Sequence, residues 1–364
     1  MANYTEIDDP TAYFQTKTYT GSAGAQSITF DGNSNLQPDW IWIKERGAVG
    51  GHVATDTVRG ISASSAPFLQ PSSTGAEIEP NGTVANRTLT SSNTNGFTLG
   101  QDAYYTNFNN NSDTYVSWNW KAGGSGSANT AGSINTTSTS VNTTAGFSIS
   151  TYTGNNTAGA TIGHGLGVTP NLIIVKQRNA GSSYWITYHH KVSSAPETDY
   201  LALNSSDAVA DADVFWNDTA PTSTLITLGD DGWVNGSSTT HVCYAFAEKR
   251  GYSKFGSYTG NANNDGPYIH LGFKPAFLVI KQASSERNWI MMDAKRSPFN
   301  IVDKYMKGNS TSAEETYNYV DFLSNGFKCR DSDTGANASG GLYVYYAFAE
   351  NPFVTSGGVP TTGR

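Results

Sequence analysis

Short runs rich in β-branched and aromatic residues recur along the chain, and Gly, Asn, Asp or Pro bounds each run. This pattern predicts β strands joined by tight turns. Trp40 and Trp42 alternate at a period of two, so their indoles are expected on one face of a strand. Other runs are apolar throughout, which predicts strands buried on both faces. Two such runs are LIIVK (172–176) and FLVIK (277–281). The sequence therefore predicts an all-β fold of antiparallel sandwiches.

Three motifs recur in the same order three times, which indicates an internal repeat. The first is Tyr-Thr-Gly, the second is a proline followed by an apolar strand ending in lysine, and the third is an aromatic closing strand. The copies are YTG at Tyr19, Tyr152 and Tyr258; PDWIWIK (38–44), PNLIIVK (170–176) and PAFLVIK (275–281); and YVSWNW (115–120), HVCYAF (241–246) and YVYYAF (343–348). The repeat predicts three tandem homologous β-sandwich modules of a jelly-roll-like kind.

The repeat divides the chain into a first segment (1–121), a second segment (147–250) and a third segment (251–364) with a short C-terminal tail. Residues 122–146 form a linker rich in Gly, Ser, Thr and Asn, which is expected to be a flexible coil. Thr and Val favour strands, so an edge hairpin within it is the alternative. No spacer separates the second and third segments. These two are expected to form one rigid body, with the first segment separately tethered.

Composition narrows the range of functions. The formal net charge is −8, and an acidic balance argues against nucleic-acid binding. No stretch approaches the ~20 apolar residues of a membrane span, and the N-terminal residues lack the basic and apolar regions of a signal peptide. The chain is therefore expected to fold in a cytoplasm without membrane insertion, with Cys243 and Cys329 as reduced, buried thiols.

Charged residues recur at fixed distances after the lysine of each repeat. Asp or Tyr follows it by twelve residues, and Arg or Lys by fifteen. The sets are Lys44, Asp56 and Arg59; Lys176, Tyr188 and Lys191; and Lys281, Asp293 and Arg296. A buried lysine needs a partner, so we expect the aspartate to pair with it and the set to pin two strands, with Tyr188 accepting a hydrogen bond from Lys176. The alternative is a polar pocket for a sugar or an anion.

An asparagine stands six residues before each closing strand, at Asn109, Asn235 and Asn337. Asparagine favours turns, so a turn position is expected. The alternative is a ligand contact in a carbohydrate site, together with exposed aromatic rings. The aromatic residues considered for that alternative are Tyr104, Tyr105, Trp216 and Trp233.

No catalytic or metal-binding motif stands out. The histidines lack the spacing of a metal site, and His241 aligns with Tyr115 and Tyr343, so it is expected to replace an aromatic ring in packing. Paired carboxylates of the kind that glycosidases use lie in polar stretches at non-equivalent positions and are expected to be solvated. These pairs are Glu77/Glu79, Asp230/Asp231 and Glu314/Glu315. We therefore expect that the chain is not an enzyme and that it has no catalytic residues, cofactor or metal.

The aligned motifs resemble a domain family widespread in tailed bacteriophages of cyanobacteria and other aquatic bacteria. The resemblance rests on YTGN, the proline–lysine strand, D-x-x-R-(G/S), W-K-A-G-G, A-F-A-E-(N/K) and N-G-F at 95–97 and 325–327. Members are commonly described as virion structural or tail-fibre-like proteins. The resemblance implies a non-enzymatic virion component and brings no catalytic residues with it. The second segment departs from the pattern at Tyr188 and at Leu225-Ile226, where the others have Asp and Gly-Phe.

Three functions are compatible with these observations. The favoured one is a tail-fibre or baseplate-associated attachment component, because modular repeats suit exposed adhesins. The alternatives are a capsid decoration (cement) protein and, less favoured, a carbohydrate-active enzyme on a lectin-like sandwich. Expected partners are other phage virion proteins of the tail or capsid and further copies of the chain in a homo-oligomer, with a host surface glycan as a candidate. The expected location is the virion, after assembly in the host cytoplasm.

Overall fold

The computed structural model describes residues 4–61, 66–79, 88–101 and 108–360, and its regular secondary structure is almost entirely β strand, arranged in antiparallel sheets. The predicted all-β class with antiparallel sheets is therefore confirmed. Within these ranges, no helix is long and apolar enough to cross a membrane. The two cysteines are free and buried, as expected.

The strands are short, and turns separate them. The first segment contains a 3-10 turn (Pro10–Ala12), β1 (Phe14–Thr20), β2 (Gln26–Thr29), β3 (Trp40–Glu45), β4 (Val53–Asp56), β5 (Leu89–Asn93), β6 (Gly96–Leu99) and β7 (Thr114–Trp120). The linker and the second segment contain β8 (Ser138–Asn142), β9 (Phe147–Thr153), β10 (Ala160–Gly163), β11 (Leu172–Gln177), β12 (Ile186–His189), β13 (Asp199–Ala202), β14 (Ala210–Asp211), α1 (Asp213–Trp216), β15 (Leu225–Leu228), α2 (Gly232–Asn235) and β16 (Thr240–Phe246). The third segment contains β17 (Ser253–Thr259), β18 (Tyr268–His270), β19 (Phe273–Gln282), β20 (Ile290–Asp293), β21 (Val302–Lys307), β22 (Glu315–Leu323), β23 (Gly326–Cys329) and β24 (Leu342–Pro352).

One strand order occurs in each of three main sheets. The opening strand pairs with the closing strand, the closing strand with the lysine-ended strand, and that strand with the next one along the chain. The three sheets are β1-β7-β3-β4, β14-β13-β12-β11-β16-β9-β8 and β17-β24-β19-β20-β21-β22-β23-β18. Two smaller sheets, β2-β6-β5 and β10-β15, accompany the first and second segments. The repeated motifs therefore correspond to repeated strand positions.

The three main sheets bury their inner faces in one hydrophobic cluster, here called the central cluster. Aromatic rings from different segments are in contact there. The ring centroids of Trp40 and Tyr244 are 4.5 Å apart, and those of Phe14 and Phe348 are 5.2 Å apart. Because such rings dominate the energetics of a core, the first segment is fixed against the other two. The expectation that it is separately tethered is wrong.

Each main sheet also has an outer cluster on its other face. Along β3, Trp40 and Trp42 lie in the central cluster, while Ile41 and Ile43 lie in the outer cluster. The strands β11 and β19 divide in the same way, with Leu172, Ile174, Phe277 and Val279 in the central cluster and Ile173, Val175, Leu278 and Ile280 in outer clusters. The apolar runs are thus strands buried on both faces, as predicted.

The linker contributes an additional edge strand to the second main sheet. Its strand β8 pairs with β9 so that Ser140 lies opposite Ile149, and Ile134 forms a β bridge to Ile162. The flexible-coil interpretation is therefore wrong for residues 138–142. The edge hairpin that Thr and Val favour occurs instead.

Candidate functional site

The buried lysines of the repeat donate to backbone carbonyl groups and not to aspartates. Lys44 Nζ lies 2.6 Å from the Glu45 carbonyl oxygen. Lys281 Nζ lies 2.8 Å from the carbonyl oxygen of Gln282 and 3.0 Å from that of Ser206 in the second segment. The predicted lysine–aspartate pairing is wrong, because carbonyl groups at the strand ends satisfy each ammonium group first.

Lys176 follows the same rule. Its Nζ lies 3.1 Å from the Ser183 carbonyl oxygen and also donates to the Ser183 hydroxyl. The predicted hydrogen bond to the Tyr188 hydroxyl is therefore wrong. Burial lowers the pKa of Lys44, Lys176 and Lys281 to about 8 in each case.

Where the first segment meets the second, four charged side chains form a buried cluster. Arg59 Nε lies 2.6 Å from Asp56 Oδ2, and the other end of the Arg59 guanidinium lies 2.7 Å from Glu77 Oε2. Glu77 also pairs at 2.6 Å with Arg178 of the second segment. The Tyr244 hydroxyl, again from the second segment, donates to Asp56 Oδ2 at 2.7 Å. The cluster therefore links two main sheets.

A matching cluster lies where the third segment meets the first. Arg296 Nε lies 2.6 Å from Asp293 Oδ2, and Arg296 also contacts Glu314 at 3.3 Å. Glu314 pairs at 2.9 Å with Arg46 of the first segment. The indole N–H of Trp118 donates to Asp293 Oδ2 at 3.1 Å. We call these two sets the charge clusters.

The two glutamates remain ionised in these buried positions. Burial acts to raise the pKa of Glu77, but the guanidinium groups of Arg59 and Arg178 outweigh it and hold the pKa below its ordinary value. The pKa of Glu314 is lowered in the same way by Arg46 and Arg296. Two arginines around each carboxylate leave no role for it as a general acid, because a general acid needs a raised pKa.

Where the second segment meets the third, His189 occupies the position of the aspartate. In the sheet register His189 lies opposite Leu172, as Asp56 lies opposite Trp40. The twelve-residue count from the lysine ends on Tyr188 because the second segment has one more residue between these two strands. The predicted equivalence of Tyr188 with the aspartates is wrong.

The same displacement affects the basic position. Val192, which is buried in the central cluster, stands three residues after His189 and takes the place of Arg59. Lys191 is exposed, so its predicted equivalence with the arginines is also wrong. Tyr188 lies in the outer cluster, with its ring centroid 6.0 Å from that of Trp216.

The remaining members of the charge cluster are also replaced at this junction. The Val209 N–H donates to the Ala283 carbonyl at 2.8 Å, just as the Glu77 N–H donates to the Arg178 carbonyl at 2.7 Å. Val209 and Ala283 therefore take the positions of Glu77 and Arg178. Uncharged residues thus stand at all four positions. Two junctions are joined by buried ion pairs and the third by neutral and apolar contacts.

Glu77 and Glu314 are the members that the sequence analysis missed. The expectation that they lie in solvated loops without an equivalent is wrong, because each lies 18 residues after the arginine that binds it, Arg59 or Arg296. That identical spacing was a readable signal. It extends the repeated pattern to an acidic position.

The three asparagines are buried and hydrogen-bonded to backbone. Asn337 Nδ2 donates to the carbonyl oxygens of Asn263 and Asp331, and its Oδ1 accepts from the N–H of Asn261 at 2.8 Å. In Asn109 and Asn235, too, Nδ2 donates to two backbone carbonyl oxygens and Oδ1 accepts from a backbone N–H. In each case the acceptor bond joins the residue after the YTG motif to the loop before the closing strand. Asn235 is the last residue of α2, whereas Asn109 and Asn337 lie in the loops that precede their closing strands.

The glycine of each YTG motif lies against the same loop. A Cβ atom on Gly21 would lie 2.0 Å from the Asn110 carbonyl oxygen, and one on Gly260 would lie 2.2 Å from that of Ala338. No side chain fits at these distances. The glycine and the asparagine therefore act together to close the opening strand onto the closing strand.

Replacement of Asn337 by Ala is expected to lower the free energy of unfolding by about 2–4 kcal/mol, because it leaves several buried backbone groups without partners. Urea denaturation checks the value. Asn264→Ala, at an exposed position of the same region, is the control and should change stability by less than about 0.5 kcal/mol. Equal effects of the two substitutions would contradict the buried role.

His241 replaces an aromatic ring, as predicted. Its ring stacks on Tyr152 at a centroid distance of 5.0 Å, and Tyr115 stacks on Tyr19 at 5.2 Å. The third segment repeats the contact between Tyr258 and Tyr343, also at 5.0 Å. Burial lowers the pKa of His241 to about 4, so the ring is neutral at physiological pH.

A cleft of about 590 Å³ opens between the first and third segments. Phe14 and Thr16 of β1 form part of one wall. Phe299, 78% exposed, and two ion pairs stand around it, Asp31–Lys295 at 2.9 Å and Lys274–Glu350 at 2.9 Å. Apolar surface beside polar groups is the usual character of a binding site. This cleft is the candidate functional site.

Comparison with known families supports the unity of the chain. A family model described as a domain of unknown function, DUF7483, matches residues 9–352. The chain belongs to the DUF7483 family. No curated protein matches it. The DUF7483 match covers all three junctions and the cleft, so a single family model spans parts of all three segments.

The other predicted site residues of this DUF7483 chain do not assemble into a site. Trp216 is buried and Trp233 is partly buried in the outer cluster of the second segment. Tyr104 and Tyr105 lie outside the described residues. Within the described ranges, no group of three His, Cys, Asp or Glu side chains is placed to hold a metal ion.

Proposed function

We propose that the protein is a non-enzymatic structural component of a tailed-bacteriophage particle, acting as an attachment component of the tail fibre or baseplate. The observation that carries this proposal is the use of the repeated charged residues. Asp56, Arg59, Asp293 and Arg296 are buried between main sheets, and each pairs with an oppositely charged neighbour. The residues that support the resemblance to virion proteins are therefore committed to joining the segments into one body.

A body of this kind suits a particle component. The central cluster and the charge clusters fix three sheets against one another, so that load applied to one segment passes to the other two. The open cleft between the first and third segments provides a surface for a neighbouring virion protein, for a further copy of the chain or for a host glycan. The expected assembly site is the host cytoplasm, and the expected final location is the virion.

The experiment is quantitative mass spectrometry of purified virions, with a known major capsid protein as the internal standard. A copy number that is a small multiple of three or six supports the tail assignment. Hundreds of copies would replace it with capsid decoration. Absence from purified particles would overturn the proposal as a whole, and turnover in a polysaccharide depolymerase assay would overturn its non-enzymatic part.

A further inference from the structure

The strand β1 is an edge strand of the first main sheet, and it lines the cleft. An edge strand presents a row of backbone N–H and C=O groups that can pair with another strand. In β9, the equivalent strand, this row includes Thr151, whose carbonyl accepts from the Thr137 N–H at 2.7 Å. The matching residues of β1 are Phe14, Thr16 and Thr18. In the described part of the chain, no strand lies beside them.

The corresponding edge of the second segment is paired. Ile149 of β9 lies opposite Tyr244 of the closing strand, as Thr16 lies opposite Trp118. On the outer side of β9, β8 runs antiparallel with Ser140 opposite Ile149. The chain itself thus shows which kind of segment covers this edge: a short extended run of Ser, Thr, Val and Asn.

The corresponding edge of the third segment is capped by side chains. Phe255 of β17 lies opposite Tyr346, in the same register as Thr16. Its N–H donates to Glu248 Oε2 at 3.3 Å, and His190 Nε2 lies 2.7 Å from its carbonyl oxygen. The side chains of Glu248 and His190 therefore bind the outward-facing backbone groups of β17, as strand β8 binds those of β9.

Among the residues that the structure describes, neither a strand nor a pair of capping side chains covers β1. The residue in the position of His190 is Ala294, which has no polar side chain. The residue in the position of Glu248 is Glu350, which pairs with Lys274 at 2.9 Å. Thr16 is only 4% exposed, and among the described residues its hydroxyl oxygen has no hydrogen-bond partner. A buried hydroxyl without a partner is unfavourable, so a ligand that supplies one is favoured here.

We propose that the cleft binds an extended polypeptide segment of a partner protein, which adds to β1 as an antiparallel strand. The segment has the chemistry of β8, with small hydroxyl side chains and single β-branched apolar residues. Main-chain hydrogen bonds to Phe14, Thr16 and Thr18 supply affinity, and the side-chain alternation of the added strand supplies selectivity. The inference is independent of the proposed function, because it concerns the isolated chain.

The test uses the full chain and a fluorescein-labelled, end-blocked peptide TTSTSVNT, the sequence of residues 136–143. Fluorescence anisotropy is expected to show saturable one-to-one binding. A peptide with proline at the positions of Ser138 and Ser140, which lacks the pairing N–H groups, is expected to bind at least tenfold more weakly. Amide exchange is expected to slow at Thr18 when the first peptide is bound.

Two protein variants locate the site. Thr16→Pro removes an N–H that the β1–β7 pairing does not use, and Ala294→His introduces the cap of the second–third junction. Both are expected to weaken binding at least tenfold, whereas Thr16→Ser, which keeps the N–H and the hydroxyl, is expected to bind as the wild type does. If Thr16→Pro fails to fold, Ala294→His still decides the question.

Three results would overturn the proposal. The first is no saturable binding at millimolar peptide, and the second is unchanged affinity in Ala294→His. The third is a dimer in light scattering that Thr16→Pro converts to a monomer, because a second copy of the chain would then be the occupant of the edge. Loss of peptide binding would leave the virion copy number unaffected, so the two proposals fail separately.

Discussion

Replacement of Arg59 by Met is expected to lower the free energy of unfolding by about 3–5 kcal/mol, because it leaves buried carboxylates without a cation. Asp56 and Glu77 lose their shared partner, and both are almost completely buried. Equilibrium urea denaturation measures the change. The same loss is expected for Arg296→Met in the second charge cluster, since Asp293 there is equally buried.

The chain offers its own control for this prediction. Lys191, which sequence spacing equates with Arg59, is exposed, and Lys191→Met is expected to change stability by less than about 0.5 kcal/mol. A comparable loss from Lys191→Met would contradict the structural assignment of the basic position.

A second variant separates the cost of an unpaired charge from the worth of the cluster. It transfers the neutral second–third junction to the first–second junction by four simultaneous changes. These are Asp56→His, Arg59→Val, Glu77→Val and Arg178→Ala. Because neutral replacement of a whole buried ion cluster is often harmless or stabilising, the quadruple variant is expected to be more stable than Arg59→Met alone. A quadruple variant less stable than the single one would show that the pairs are themselves strongly stabilising.

Acidification from pH 6.5 to about 4.5 is expected to destabilise the protein steeply. Burial lowers the pKa of His52 and His189 to about 3 and that of His241 to about 4, whereas unfolded histidine titrates near 6.5. Below pH 6.5 the unfolded chain therefore binds protons that the folded chain does not. The contribution of these three histidines to stability is complete above pH 6.5 and is lost as pH falls toward the folded values, by about 1.4 kcal/mol per pH unit for each histidine and about 4 for the three.

Denaturation midpoints at half-unit intervals of pH measure this slope. His241→Tyr is the matched variant, because tyrosine occupies the equivalent stacked position at Tyr115 and Tyr343. It is expected to fold and to reduce the slope by about 1.4 kcal/mol per pH unit, the contribution of one histidine. An unchanged slope would mean that His241 is not the titrating group.

Strand positions were predictable from the sequence because the apolar alternation is local. Trp40 and Trp42 alternate with Ile41 and Ile43, and the structure sends the two pairs into different clusters. The alternation does not predict which other segment packs against each face of a strand. The sharing of one central cluster by three segments depends on contacts more than a hundred residues apart, which local patterns do not encode.

The site was predictable only where the spacing stays constant. Asp56 and Arg59 recur at the spacing of Asp293 and Arg296, and Glu77 and Glu314 follow the two arginines at an equal distance. One additional residue before His189 shifts the count, and no spacing rule survives such an insertion. The hydrogen-bond partner of the buried lysine was not predictable either, because the ammonium group of Lys44 donates to a nearby backbone carbonyl and not to an aspartate.

The central cluster has a consequence for how the chain folds. The inner face of the first segment includes Phe14 and Trp120, whose rings contact Phe348, so it has no complete partner surface until residues beyond 340 have been synthesised. Contacts of such sequence separation slow folding, because long loops must close before the contacts form. The nascent first segment therefore lacks part of its core until translation is almost complete, and the finished chain is expected to unfold in one cooperative transition.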